Sequence, residues 1–104
     1  MNLGLAIDEC RKLKGVTKSS LAAEAELSPP YLSQIINGQR EPSISIIEKI
    51  SSALGIPSSL LLFLASDDSE LSNISEDTKR ELRRISKQLI EQSSESNSGP
   101  QVFW

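Results

Sequence analysis

The chain of 104 residues contains no histidine and only one cysteine, Cys10. These absences exclude zinc fingers, histidine-based acid–base catalysis and disulfides within the chain, and they fit a reducing cytosol. No nucleophile–base pair, metal constellation or phosphate-binding loop is visible, so we expect no enzyme, metal site or cofactor. Its most apolar run, residues 60–65, is far shorter than the roughly 20 residues that a membrane span needs. We therefore expect a cytoplasmic protein that does not interact with a membrane.

Excess positive charge is also lacking, because the net charge is −3. Residues 1–64 carry six basic and six acidic residues, so the whole negative excess lies in residues 65–104. The length suits one small domain with an appendage. If the neutral part binds nucleic acid, its non-specific affinity should be weak, since phosphate neutralisation supplies that part of binding. Binding should then depend on dimerisation.

Helical spacing of apolar residues and helix-ending glycines predict a chain of short helices. In residues 3–14, Leu3, Ile7 and Cys10 form one buried stripe, so Cys10 is expected in the core. The isoleucines between residues 43 and 54 are expected to form the floor of the core. The predicted helices span residues 3–14, 17–25, 29–36, 43–54 and 58–65.

The helix at residues 29–36 has clear signals at both ends. Ser28 suits the N-cap, and Pro29 suits the first helical position because it has no N–H to leave unpaired. The pair Asn37–Gly38 ends the helix, since glycine adopts left-handed backbone at no steric cost. Leu32, Ile35 and Ile36 turn inward, which leaves an uncharged outer face of Pro30, Ser33, Gln34 and Asn37.

Residues 17–43 resemble the helix-turn-helix of the Cro/C1-type repressors, or XRE family. Its local features occur here in order as Leu21–Ala22, Leu27–Ser28, Tyr31–Leu32–Ser33, Asn37–Gly38 and Pro42–Ser43. The resemblance covers roughly residues 3–64 and implies an all-α, five-helix, lambda-repressor-like DNA-binding domain at residues 1–65. Arg11 resembles an arginine that commonly pairs with a glutamate in the family. Because Ile36 occupies the glutamate position, Arg11 is expected to point at solvent or DNA.

The resemblance further implies that helix 17–25 crosses the DNA backbone and helix 29–36 lies in the major groove. Gln34 is then the strongest base reader, because its amide can contact adenine N6 and N7, and Ser33 is second. Pro30 offers only an apolar contact to a thymine methyl. Candidate phosphate contacts are Thr17, Lys18, Tyr31, Asn37 and Arg40. Three of these have simpler alternatives: Tyr31 as a core residue, Asn37 as a helix cap, and Arg40 as a solvated charge.

The C-terminal third begins with an acidic linker at residues 66–74, followed by a helix predicted over residues 75–92. Leu71 in the linker and Thr78, Leu82, Ile85 and Leu89 in the helix follow one another at spacings of 7, 4, 3 and 4 residues. This narrow stripe, apolar at Leu71, Leu82, Ile85 and Leu89, suits pairing with a second helix and predicts a homodimer. The alternative is that this helix folds back on its own domain. The interleaved basic residues, from Lys79 to Lys87, are expected to form a solvated face.

Residues 93–104 are expected to be a flexible tail with an apolar end. Large aromatic side chains are common anchors at protein interfaces, so we expect Val102, Phe103 and Trp104 to bind a second protein. Docking on the chain's own domain and a degradation signal are the alternatives.

These expectations together predict a sequence-specific DNA-binding transcriptional regulator, most simply a homodimeric repressor on a palindromic operator. The alternative is an antitoxin that neutralises a toxin through its C-terminal region and represses its own operon.

Overall fold

The structure is a computed structural model that describes residues 1–67 and 69–96, with side chains described at residues 1–67 and 69–91. Within these ranges the chain is all-helical, which confirms the predicted fold class. The helices are α1 (Leu3–Lys14), α2 (Lys18–Glu24), α3 (Pro29–Ile36), α4 (Ile44–Leu54), α5 (Ser58–Ala65) and α6 (Glu76–Ser96).

The helix ends follow the capping residues of the sequence. The Ser28 hydroxyl accepts a hydrogen bond from the backbone N–H of Tyr31 at 3.2 Å, and the Ser43 hydroxyl accepts one from Ile46 at 3.3 Å. Each bond satisfies an N–H group that the first helical turn leaves without a partner. At the other end of α1, Gly15 has φ 71°, the left-handed conformation expected of a glycine cap.

The core of α1 to α5 contains the predicted stripes. Cys10 is 1% exposed, and its burial raises the thiol pKa to about 11. This agrees with the prediction that Cys10 is a core residue. The prediction for α4 is wrong at one position, since Ile44 is 75% exposed. Ile44 is the first residue of α4, and the buried face of that helix begins only at Ile47. The fully buried large apolar side chains of the five helices are Ile7, Leu21, Leu32, Ile35, Ile50, Leu54 and Leu61.

The start of α1 touches the end of α3 at Gly4, which is buried. A Cβ atom placed on Gly4 would lie 2.3 Å from the carbonyl oxygen of Ile36 and 2.6 Å from that of Ile35. Only glycine therefore permits this approach. The contact sets where the C-terminal end of α3 lies relative to the rest of the core.

Arg11 does not point at DNA or solvent, so that expectation is wrong. Its side chain is 15% exposed, and its Nη2 atom lies 2.8 Å from the Asp8 carboxylate. Its Nη1 atom donates to the carbonyl oxygen of Val16 at 2.9 Å. Asp8, one turn earlier on the same helix, thus supplies the negative partner that Ile36 cannot provide. The guanidinium also holds the loop after α1 in place.

The helix α6 packs against α1 through the face that carries Lys79, Ser86 and Ile90. Ile90 is 0% exposed and belongs to the hydrophobic core. Lys79 is 3% exposed, and its ammonium group lies 2.8 Å from the Glu76 carboxylate. The expectation that Lys79 belongs to a solvated face is therefore wrong. The helix also runs to Ser96, beyond its predicted end at residue 92, since no glycine or proline interrupts the sequence before Gly99.

Among the described residues, no single helix is both long and apolar enough to cross a membrane. Of the helices in the described part of the chain, only the pair α4 and α5, bent by 105° between them, has sufficient length and apolar character. Both contribute buried side chains to the core.

Candidate nucleic-acid interface

Two short helices, α2 and α3, pack against each other and are joined by a tight turn at residues 25–28. The turn forces Glu26 into left-handed backbone with φ 61°, a conformation that non-glycine residues seldom adopt. Leu21 and Ala22 of α2 are buried, as are Leu32 and Ile35 of α3. This buried pairing fixes the angle between the helices and leaves the outer face of α3 turned away from the core.

The predicted base readers lie along that outer face. Pro30 is exposed at the start of α3, while Ser33 and Gln34 are half-buried in its second turn. The described residues of this face carry no acidic group, so a polynucleotide could approach α3 without meeting a negative side chain on the helix itself. The face is short because α3 ends at Ile36.

The structure brings Tyr31, Gln34 and Arg40 into contact with one another. Arg40 donates a hydrogen bond from Nε to the Oε1 atom of Gln34 at 2.9 Å. Its guanidinium carbon also lies 5.3 Å from the centre of the Tyr31 ring, within range of a cation–π interaction. Tyr31 itself is half-buried and packs against the hydrophobic core. Arg40 is thus a contact of α3 as well as an exposed charge of the following loop.

The other candidate phosphate contacts are at helix ends. Thr17 caps α2, its hydroxyl accepting from the Ser20 N–H at 3.0 Å, and Lys18 is exposed as the first residue of that helix. Asn37 is exposed and follows the last residue of α3, with its backbone N–H bonded to the Ser33 carbonyl at 2.9 Å. Asn37 therefore does form a helix cap, and its side chain remains available at the surface.

The predicted dimer seam is exposed on α6. Leu82, Ile85 and Leu89 are 37%, 38% and 51% exposed, respectively. Ile90, on a different face of the helix, is buried, which shows that α6 folds back on its own domain. The helix still presents the apolar stripe of Leu82, Ile85 and Leu89 at the surface. Leu71 is half-buried, ahead of the helix. The predicted protein anchor at Val102, Phe103 and Trp104 lies outside the described residues.

Several of these features have weak or no sequence signals. Arg40 and Gln34 are six residues apart on either side of a helix end, and no periodicity brings such a pair together. A glycine inside a predicted helix was a usable signal for the close approach at Gly4. Ile90 shares its face of α6 with Lys79 and Ser86, so apolar periodicity carries no signal for its burial.

A compact helical core that presents two helices joined by a tight turn, the second with an uncharged polar outer face, defines a helix-turn-helix DNA-binding protein. The helix-turn-helix family model matches residues 7–61, more than half of the chain. The chain therefore belongs to the XRE-type helix-turn-helix family. This family is non-enzymatic, which supports the prediction that the chain is not an enzyme.

Individual relatives extend the match beyond the helix-turn-helix. The chain is 31% identical over 104 residues to the immunity repressor protein of Bacillus phage phi105, covering 95% of this chain and 72% of that protein. It is 41% identical over 61 residues to the HTH-type transcriptional regulator SinR of Bacillus subtilis (strain 168), covering 58% of this chain but only 55% of SinR.

A solved structure of the clp gene regulator ClgR from Corynebacterium glutamicum has a similar fold. It superimposes with a TM-score of 0.62 and 33% identity, covering 81% of this chain and 89% of that chain. A second ClgR structure gives a TM-score of 0.60 over 72% of this chain.

Proposed function

We propose that this DNA-binding transcriptional regulator acts as a homodimeric repressor on a two-fold symmetric operator, with α3 in the major groove. The observation that carries the proposal is the outer face of α3, whose own side chains are uncharged and which is presented by two helices packed against each other. The repressor role is supported by the relatives, since one of them is an immunity repressor.

In this arrangement Gln34 reads a base, because a glutamine amide matches the donor and acceptor atoms of adenine in the major groove. Ser33 and Pro30 complete the contact, with Pro30 against an apolar base edge. Thr17, Lys18 and Asn37 contact phosphates, which fix the position of the protein without reading sequence.

The base-reading role is tested by operator selection followed by substitution. Gln34→Ala should weaken binding to the selected operator by about 1–3 kcal/mol and relax the preference at one base pair. Lys18→Ala is the matched control, because loss of a phosphate contact should weaken all sequences alike. If Gln34→Ala leaves the affinity for the selected operator unchanged, α3 does not read bases through this residue.

Dimerisation through α6 is supported by the apolar stripe of Leu82, Ile85 and Leu89, which stays exposed although the same helix packs on α1. The two half-sites of an operator would then lie about one helical turn, roughly 34 Å, apart. Linking two DNA-binding domains raises operator affinity, because binding of the second half-site becomes intramolecular.

Point substitutions test the dimer more cleanly than truncation after residue 65, which would also remove the buried Ile90. Leu82→Gln combined with Leu89→Gln should give a folded monomer in sedimentation and weaken operator binding more than half-site binding. The control is Ile44→Gln, an exposed isoleucine on α4 that should leave the oligomeric state unchanged. A dimer that persists in the double variant would place the interface elsewhere.

The proposed protein anchor at residues 102–104 rests on its aromatic composition and has a separate test. Deletion of residues 101–104 should abolish capture of a protein partner while operator affinity and the melting temperature stay unchanged. A lower melting temperature would instead indicate that the segment docks on the chain's own domain. A longer cellular lifetime without loss of a partner would indicate a degradation signal.

A further inference from the structure

The contact between Arg40 and Gln34 determines which way the Gln34 amide points. The Nε–H group of Arg40 can only donate, so the amide must present its oxygen rather than its nitrogen at this 2.9 Å contact. The two ends of a glutamine amide differ in hydrogen bonding but hardly in shape, and an unrestrained amide can exchange them by rotation. The chemistry of arginine therefore selects one of the two orientations.

Arg40 is itself held in place. Its guanidinium lies over the Tyr31 ring at 5.3 Å, and Tyr31 packs against the hydrophobic core. Tyr31 is three residues before Gln34 on α3, so the two side chains lie on the same face of the helix. The core, the tyrosine ring, the guanidinium and the amide thus form one continuous series of contacts.

We propose that Arg40 is a positioning residue that holds the Gln34 amide in one orientation and thereby sharpens base specificity. The inference rests on the proposed function, in which Gln34 faces the bases. A carboxamide oxygen has two lone pairs, so Oε1 can accept from Arg40 and from a base at once. The amide nitrogen is left to donate to a base acceptor such as N7. Without Arg40, the amide can also turn its nitrogen toward base edges that offer only acceptors, such as guanine O6 and N7.

The experiment measures relative affinities for operators that carry each of the four base pairs at the position read by Gln34. Arg40→Ala should reduce the preference for the best base pair by about fivefold, the lower end of what one bidentate contact contributes. Lys18→Ala is the charge-matched control, since it also removes one exposed cation but has no part in the Gln34 contact; it should lower all four affinities and leave their ratios unchanged. Thermal melting verifies that every variant is folded.

The double variant separates positioning from an independent base contact. If Arg40 acts through Gln34, Gln34→Ala with Arg40→Ala should show the same base preference as Gln34→Ala alone, so the two effects on the ratio are not additive. Uniform weakening by Arg40→Ala, with unchanged ratios, would overturn the inference and leave Arg40 as a phosphate contact. If Gln34→Ala itself changes no ratio, the base-reader assignment fails as well, which distinguishes failure of the proposed function from failure of the inference alone.

Discussion

Replacing Gly4 by alanine has two opposing effects on the stability of the fold: a steric overlap with α3 and a gain in helix propensity. The distances in the structure indicate that the steric overlap is the larger effect. The added methyl group would lie 2.3 Å from the Ile36 carbonyl oxygen, whereas carbon–oxygen contacts normally begin at about 3.3 Å. The obstacle is backbone, which cannot rotate aside, so α1 and α3 must separate by roughly 1 Å or distort. Overpacking of this kind costs about 1–3 kcal/mol and occasionally more.

Helix propensity acts in the opposite direction. Alanine is favoured over glycine by about 1 kcal/mol in a helix interior, and less in the first turn, where Gly4 lies. Subtracting a gain of about 0.5 kcal/mol in this first turn from the overpacking cost, we expect Gly4→Ala to destabilise the fold by about 0.5–2.5 kcal/mol. For a domain of this size each kcal/mol lowers the melting temperature by about 4–8 °C.

Thermal unfolding followed by circular dichroism measures the effect. Gly38→Ala is a useful comparison, because a Cβ atom there meets nothing within 4 Å and the strain comes only from its positive φ of 78°. Asparagine tolerates such backbone, so Gly38→Asn should recover much of that loss, while Gly4→Asn should be no better than Gly4→Ala. Operator affinity at low temperature should also fall in Gly4→Ala, since α3 is displaced. An unchanged or higher melting temperature in Gly4→Ala would show that propensity prevails and that the helices are not in tight contact.

Three further substitutions test other parts of the fold. Asp8→Asn should destabilise the protein by about 1–3 kcal/mol, because it removes a charged partner from the largely buried Arg11. The hydrogen bond from Arg11 lowers the pKa of Asp8 in the folded protein. The contribution of Asp8 to stability is therefore present above its unfolded pKa of about 3.9 and is lost as the pH falls through the folded pKa. Urea titrations should show that the unfolding free energy falls less between pH 6 and pH 3 in Asp8→Asn than in the parent protein. Glu26→Gly should raise the unfolding free energy by about 1 kcal/mol, since glycine adopts φ 61° without strain, and a lower midpoint in denaturant would contradict this reading of the turn. Ile90→Ala should lower the unfolding free energy by about 2–5 kcal/mol, because Ile90 is fully buried. Leu89 is its exposed neighbour, so Leu89→Ala should leave the stability of the monomer nearly unchanged. Equal losses of unfolding free energy in chemical denaturation would refute the packing of α6 on α1.

Short-range patterns in the sequence specify the helix ends and the buried faces of this protein. Ser28 and Ser43 cap the helices that follow them, Gly15 ends α1, and the spacing of apolar residues identifies the buried faces of α1 and α3. These features depend on interactions within a few residues of one another, which residue type and order specify directly. The resemblance to the XRE family is carried by the same short segments, and the family match confirms it.

Contacts between side chains across helix ends and between helices, in contrast, could not be predicted from the sequence. Helical periodicity leaves Arg11 and Gln34 on partly exposed faces, but it does not say that Arg11 turns to Asp8 or that Arg40 reaches back over α3 to Gln34. The helix α6 is a similar case, since its periodic apolar residues Leu82, Ile85 and Leu89 are exposed, while Ile90, on a face shared with Lys79 and Ser86, is buried. Such contacts depend on loop conformation and on the distance between helix axes, which arise from the summed packing of the whole core rather than from any local sequence pattern.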